Sequence, residues 1–330
     1  MAYIGGDAKL YDLLFNFKHS IVLQSLHSTE GNEATNGDGF GVGWYPPDGE
    51  DDDDDDDDYD EENKEEKEGG DESYAPLLFR SVEPAWHDKN LKEIARAIES
   101  PVVFCHVRAA SPGVSTVQQT NCHPFRHGRW LFMHNGAIRG FGIIKRDLQM
   151  RVDPELYPCI EGSTDSETFF YLCLSFGLRQ DPPTAVAKAV GLITQLGKEK
   201  ADVEFPIQMT VATTDGDRLW AFRYSSEGNS RTLYYSSSLD DIMALYEENT
   251  KARKRMSSIN TKKMSVRLSV RSLQHLQSFS RDARLVVSEP LGSEMVWNKV
   301  PESTCVFIED GKVSLTDFAP IFEEKKGWFG

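Results

Sequence analysis

Residues 164–177 read Thr164-Asp165-Ser166-Glu167-Thr168-Phe169-Phe170-Tyr171-Leu172-Cys173-Leu174-Ser175-Phe176-Gly177, and both ends of a helix are written into them. Thr164 followed three residues later by Glu167 is a capping-box pattern, in which side-chain oxygens satisfy the first unpaired N–H groups. An apolar run follows over 169–176. Gly177 then stops the helix, because glycine tolerates the left-handed conformation that ends one. A second helix is predicted after Pro182-Pro183, with Ala185, Val186, Ala189, Val190, Ile193 and Leu196 on one face.

Strand signals lie on both sides of this helical block. Residues 40–45, 101–107 and 130–133 read as buried strands before it. After it, 207–213 and 218–224 flank Asp215-Gly216, a hairpin signal. Residues 231–236, 285–288 and 305–313 read as further strands, the last turning at Asp310-Gly311. Strands in groups, with helices between the groups, predict an α+β fold with helices packed on antiparallel sheets. No internal repeat is visible, and residues 1–330 are expected to form a single domain.

The formal net charge is −17 over 330 residues, but it is concentrated. Residues 48–72 hold 18 Asp or Glu against Lys64 and Lys67, a net of −16 that leaves −1 for everything else. The folded part is therefore nearly neutral and has no global basic field for nucleic acid. Residues 48–74 read as a disordered acidic insertion, since like charges repel and there is little to bury. Residues 247–267, with Lys251, Arg253, Lys254, Arg255, Lys262 and Lys263, read as a basic flexible loop. No apolar run approaches the ~18 residues that a membrane crossing needs. The first residues show no basic region followed by an apolar stretch, so no signal peptide is expected. Five unpatterned cysteines fit a reducing compartment, and a cytoplasmic location is expected.

Four segments put glycine, amide and charge together: residues 36–41, 106–111, 134–136 and 163–167. Arg108 follows a predicted strand, where a guanidinium either grips a carboxylate through two parallel hydrogen bonds or forms a structural ion pair. Asn135-Gly136 ends the predicted strand at 130–133 and reads alone as a turn. An amide beside a glycine N–H also makes an oxyanion hole, since glycine lets a substrate approach the backbone. Asp165 sits in the first turn of its helix, where a carboxylate stabilises the helix dipole or holds a substrate ammonium. The glycines at 37–41 lack the phosphate-loop pattern and read as a tight turn at a strand start. Cys105, Cys122, His123 and His127 match no familiar zinc spacing, and no metal is expected.

As an ordered set these segments resemble class II glutamine amidotransferases, which are N-terminal-nucleophile hydrolases. Residues 19–25, 121–125, 234–236 and 286–291 extend the resemblance over most of the chain outside the two charged insertions. The closer similarity is to the stand-alone branch. That branch holds bacterial γ-glutamyl hydrolases of ergothioneine synthesis and a fungal amidotransferase subunit of cytosolic glutathione degradation. The resemblance implies a four-layer α/β/β/α sandwich and a small-molecule γ-glutamyl substrate. It implies that Arg108 binds the α-carboxylate and Asp165 the α-ammonium, and that Asn135 and Gly136 form the oxyanion hole. His106 and His134 would shape the pocket. No cofactor is needed for such a hydrolysis, and a metallopeptidase subunit is the implied partner.

Family members carry a nucleophilic cysteine directly after the initiator methionine, in a pattern like Met-Cys-Arg-aromatic, and its free amine serves as base. Here position 2 is Ala2, and the first cysteine is Cys105. The expected explanation is a reading frame begun at an internal methionine, a few residues past the cysteine. The alternative is a catalytically inactive γ-glutamyl-binding or scaffold subunit.

Overall fold

The computed structural model describes residues 1–27, 35–47, 74–109, 116–238, 279–292 and 296–322. The expectations for the acidic insertion, apart from Tyr74, and for the basic loop fall outside these residues. The first half of the chain comprises β1 (Ala2–Lys9), α1 (Leu10–Phe15), α2 (Ile21–Leu26), β2 (Phe40–Trp44), β3 (Leu77–Ser81), α3 (Lys89–Ala97) and β4 (Glu99–Val107). Then come β5 (Phe125–His127), β6 (Trp130–Ile138), α4 (Phe141–Gln149), α5 (Asp165–Ser175) and α6 (Pro182–Ala201). The last part holds β7 (Ile207–Thr214), β8 (Leu219–Ser225), β9 (Tyr234–Ser236), β10 (Arg284–Val287), β11 (Trp297–Lys299), β12 (Thr304–Glu309) and β13 (Lys312–Asp317).

The strands make two antiparallel sheets. One has the order β11-β9-β10-β1-β4-β2-β3 and the other β13-β12-β8-β7-β6-β5. Strand alternation sorts the side chains into three apolar layers. Ala2, Ile4, Val102, Phe104 and Val286 of the first sheet meet Leu131, Met133, Ala221 and Val306 of the second. The opposite face of the first sheet, with Tyr3, Val103 and Leu285, packs on Leu13, Ile21 and Leu91 of α1, α2 and α3. The outer face of the second sheet, with Phe132, Val211 and Phe222, packs on α4, α5 and α6 through Ile144, Phe169, Phe170, Val190 and Ile193. Helices on sheet on sheet on helices is the α/β/β/α sandwich. Among the described residues no helix is long and apolar enough to cross a membrane.

The two helices read from the sequence form with the expected caps and faces. Thr164 Oγ1 accepts the Glu167 N–H at 3.2 Å. The Glu167 carboxylate does not complete the box. It turns outward to the Glu161 and Gly162 N–H groups, at 2.9 and 2.7 Å, and so fixes the loop that feeds the helix. All six residues assigned to one face of α6 are buried.

Two expectations need correction. The strand at 130–133 does not end at Asn135-Gly136 but runs to Ile138, because β7 pairs with it continuously from Leu131↔Thr214 to Ile138↔Ile207. Cross-strand pairing outweighs the local turn preference of an Asn-Gly pair. The strand predicted at 231–236 shortens to Tyr234–Ser236. Its first residues are held by Arg223 instead, whose guanidinium donates to the Ser230 and Arg231 carbonyls at 3.2 and 2.9 Å.

Phe132 is fully buried and sits 5.1 Å from Phe170 and 5.6 Å from Phe169, ring centre to ring centre. Phe132→Ala should therefore cost about 3–5 kcal/mol. Urea unfolding would read this as a lower midpoint with an unchanged slope.

Candidate active site

The four sequence segments converge at one end of the facing sheets. A cleft of about 300 Å³ there is lined by His106, Arg108, His134, Asn135, Gly136 and Asp165, together with Met1, His123, Thr210 and Arg231. Every site residue named from the sequence lies on this one cleft.

Arg108 stands one residue beyond β4 and is 5% exposed. The segment at 36–41 wraps around it. The Arg108 N–H donates to the Gly39 carbonyl at 2.9 Å, and the Asp38 N–H donates to the Arg108 carbonyl at 3.0 Å. Its guanidinium reaches the carbonyls of Asp38 and Thr116 at 3.4 and 3.2 Å. Gly39, at φ 113°, makes the tight turn expected at the strand start. The glycine run thus shapes the backbone around a cation.

His134, Asn135 and Gly136 lie consecutively on β6. His134 turns toward the helices, where its Nδ1 is 2.9 Å from Ser166 Oγ and its ring meets Phe169 edge-on at 5.5 Å. Asn135 takes the opposite face of the strand, toward the first sheet. A Cβ on Gly136 would stand 2.0 Å from the Gln208 carbonyl oxygen. Glycine is thus required there by close strand approach, quite apart from any role toward a ligand.

Asp165 opens α5 and ties it to β6. One carboxylate oxygen accepts the Ile138 N–H at 2.8 Å. The other accepts the Ser166 N–H at 2.8 Å and the Ser166 hydroxyl at 3.3 Å. Asn121, from the segment at 121–125, braces the loop before α5. Its amide oxygen accepts the Ser163 N–H at 2.8 Å, and its NH₂ group donates to the Thr116 carbonyl at 2.8 Å.

Two further residues line the cleft that were given no role there from the sequence. His123 packs its ring 4.4 Å from that of His106, and neither of its ring nitrogens has a hydrogen-bond partner among the described residues. Burial first, then the neighbouring His106, His134 and Arg108, push its pKa well below 6.5. Burial likewise pushes His106 down to about 3. Arg231 comes from the loop before β9, at the first residue of the strand expected over 231–236.

Cys105 also borders the cleft, and burial pushes its thiol up to about 12. The thiolate is the reactive form, so this residue is inert at neutral pH. Among the described residues, no three His, Cys, Asp or Glu side chains are grouped to hold a metal ion.

Known proteins share this architecture. Residues 8–327 match the family described as glutamine amidotransferases class-II. A Saccharomyces cerevisiae protein, "Probable glutamine amidotransferase DUG3", is 30% identical over 340 residues, covering 96% of this chain and 82% of its own. A solved glutamine aminotransferase class-II domain protein from Silicibacter pomeroyi superposes with a TM-score of 0.60 at 26% identity, over 97% of this chain and 98% of that one. The glutamine phosphoribosylpyrophosphate amidotransferase of B. subtilis shares the fold at a TM-score of 0.54 and 12% identity, over 97% of this chain and 49% of its own. The expectation drawn from the ordered motifs therefore holds at the level of sequence and of fold, and the chain belongs to the class II glutamine amidotransferases.

Proposed function

We propose that the protein is a γ-glutamyl amide hydrolase acting on glutamine, glutathione or a related γ-glutamyl compound, with residues 1–330 as one amidotransferase domain. A single observation carries this reading. One cleft of amino-acid to short-peptide size is lined by a buried guanidinium, a carboxylate and an amide–glycine pair. Arg108 takes the substrate α-carboxylate, and Asp165 takes the α-ammonium with the acceptor site left over from its three hydrogen bonds. The Asn135 amide and the Gly136 N–H face the oxygen that becomes negative as the carbonyl is attacked.

In this reading a cysteine thiolate adds to the amide carbon, and the C–N bond breaks as the leaving amine takes a proton. Water then cleaves the thioester and releases glutamate. The nucleophile arrives on a strand that continues β1 backward past Met1. Support comes from the hydrogen-bond register. The Met1 amine donates to the Cys105 carbonyl and the Cys105 N–H to the Met1 carbonyl, both at 2.8 Å. That direction leads into the cleft between Arg108 on one side and Ser288 and Glu289 on the other. Ala2 faces the second sheet and pairs with Phe104. Positions two and four residues before Ala2 would therefore oppose His106 and Arg108 and face the cleft.

Cleavage of a γ-glutamyl peptide leaves a shorter peptide, so a metallopeptidase subunit is a fitting partner. The five free cysteines favour a reducing compartment such as the cytoplasm.

Glutamate release from glutamine and glutathione should appear in a chain preceded by Met-Cys-Arg-Phe, which puts the cysteine four residues before Ala2, and not in the chain beginning at Met1. In the active form Asn135→Ala should lower kcat by about 10²–10³-fold. Ligand binding with no turnover in either form would replace the hydrolase with a binding subunit. No binding of glutamate, glutamine or glutathione would end the reading.

His123 also sets a pH dependence. Its folded-state pKa lies below that of the unfolded chain, so below pH ~6.5 the unfolded state binds the proton first. The contribution to stability is full above that pH and is lost as pH falls. Urea unfolding at pH 7 and pH 5.5 should show a drop that His123→Gln reduces, by up to about 1.4 kcal/mol per pH unit.

A further inference from the structure

We propose that Arg231 binds a second carboxylate, on the leaving-group side of the scissile amide, and so selects γ-glutamyl peptides with a free C-terminal carboxylate over glutamine. This rests on the hydrolase reading above and adds a specificity-determining residue to it.

The backbone on both sides of Arg231 is fixed. Arg223, 9% exposed on β8, donates from Nε to Ser230 Oγ at 3.0 Å and to the Arg231 carbonyl at 2.9 Å. It also donates to the Val300 carbonyl at 2.6 Å. The Glu302 carboxylate accepts the Ser230 N–H at 3.1 Å and the Ser230 hydroxyl at 2.6 Å. On the far side, Thr232 Oγ1 donates to the Ser288 carbonyl at 3.0 Å.

The side chain that this frame presents is not used by the fold. Arg231 lines the cleft, its Nε is buried, and that nitrogen has no hydrogen-bond partner among the described residues. Among the described residues it takes part in no ion pair, whereas Arg223 next to it is bonded through all three guanidinium nitrogens. A desolvated donor without an acceptor is costly, and such groups in native structures call for an explanation. Its charge is felt inside the cleft, where it opposes protonation of His106 and His134.

Spacing indicates the ligand. Arg108 follows β4 and Arg231 precedes β9, with β1 and β10 between those strands. Three strand steps place the two backbones ~14 Å apart. That separation is comparable to the length of a short extended peptide with an anion at each end. An extended three-residue peptide spans ~10–11 Å between its ends. Glutamine carries one carboxylate and cannot occupy both cations. A γ-glutamyl tripeptide carries two, and its far one is the free C-terminus. The guanidinium fork matches that carboxylate with two parallel N–H donors.

The test is a calorimetric binding comparison of glutathione with its C-terminal amide, on the full chain and on Arg231→Gln and Arg231→Lys, with thermal melts as the check on folding. Glutathione should bind the unaltered chain about tenfold more tightly than the amide. That ratio should fall to about one in Arg231→Gln and stay above one in Arg231→Lys. Should Arg231→Gln fail to fold, the unaltered chain and Arg231→Lys decide. Equal affinity for acid and amide in the unaltered chain overturns the proposal, as does a ratio that survives Arg231→Gln. If glutamate and both peptides fail to bind at all, the hydrolase reading itself has failed.

Discussion

The carboxylate of Asp165 joins the last residue of β6 to the first turn of α5, and the geometry of the cleft depends on that junction. One oxygen holds the Ile138 N–H and the other holds Ser166, whose hydroxyl in turn meets His134. A side chain at a helix N-terminus is already favoured when it is negative. Here the same charge also sets the register of a helix against the strand that carries Asn135 and Gly136. Glu167 and Asn121 complete the arrangement from the loop side, through main-chain N–H groups at 161–163. A charge that could read a substrate ammonium is therefore the one that builds the wall around it.

Elements with strong local punctuation were legible in the sequence. Thr164 and Gly177 marked α5, Pro182 opened α6, and Asp215-Gly216 and Asp310-Gly311 marked their hairpins. Less legible was whatever depends on distant partners. Residues 2–9 contain two consecutive glycines and an aspartate, yet they form the central strand β1. Ala2, Tyr3 and Ile4 are enclosed by β4 and β10, which arrive about 100 and 280 residues later in the chain. Helices α1, α2 and α4 are short, and their apolar faces make sense only against sheets that local periodicity does not reveal.

Legibility of the site followed the same rule. Arg108 and Asp165 stand beside a strand end and a helix start and Asn135 lies within a strand, all on elements that sequence pattern marks. His123 and Arg231 enter the cleft through loops whose path is set by long-range bonds. For Arg231 these are the bonds from Arg223 to Ser230, Arg231 and Val300. No window of neighbouring residues contains that information. Asn135-Gly136 misled for a related reason: a pair favouring a turn was carried straight through by eight partners on β7.

Strands β2 and β3 form a hairpin at one border of the first sheet, with Trp44 opposite Leu77. The two ends of the intervening segment, residues 45–76, are thus already held side by side by ladder bonds. The entropic cost of closing such a loop grows only logarithmically, by roughly 0.6 kcal/mol for each doubling of its length. Insertions and deletions between residues 48 and 73 therefore change the closure cost little, whereas Tyr45, fully buried and bonded to the Arg129 carbonyl, has no such freedom. Lineages can lengthen, shorten or recharge this connection at little thermodynamic risk, so its composition is open to selection for purposes other than holding the fold together.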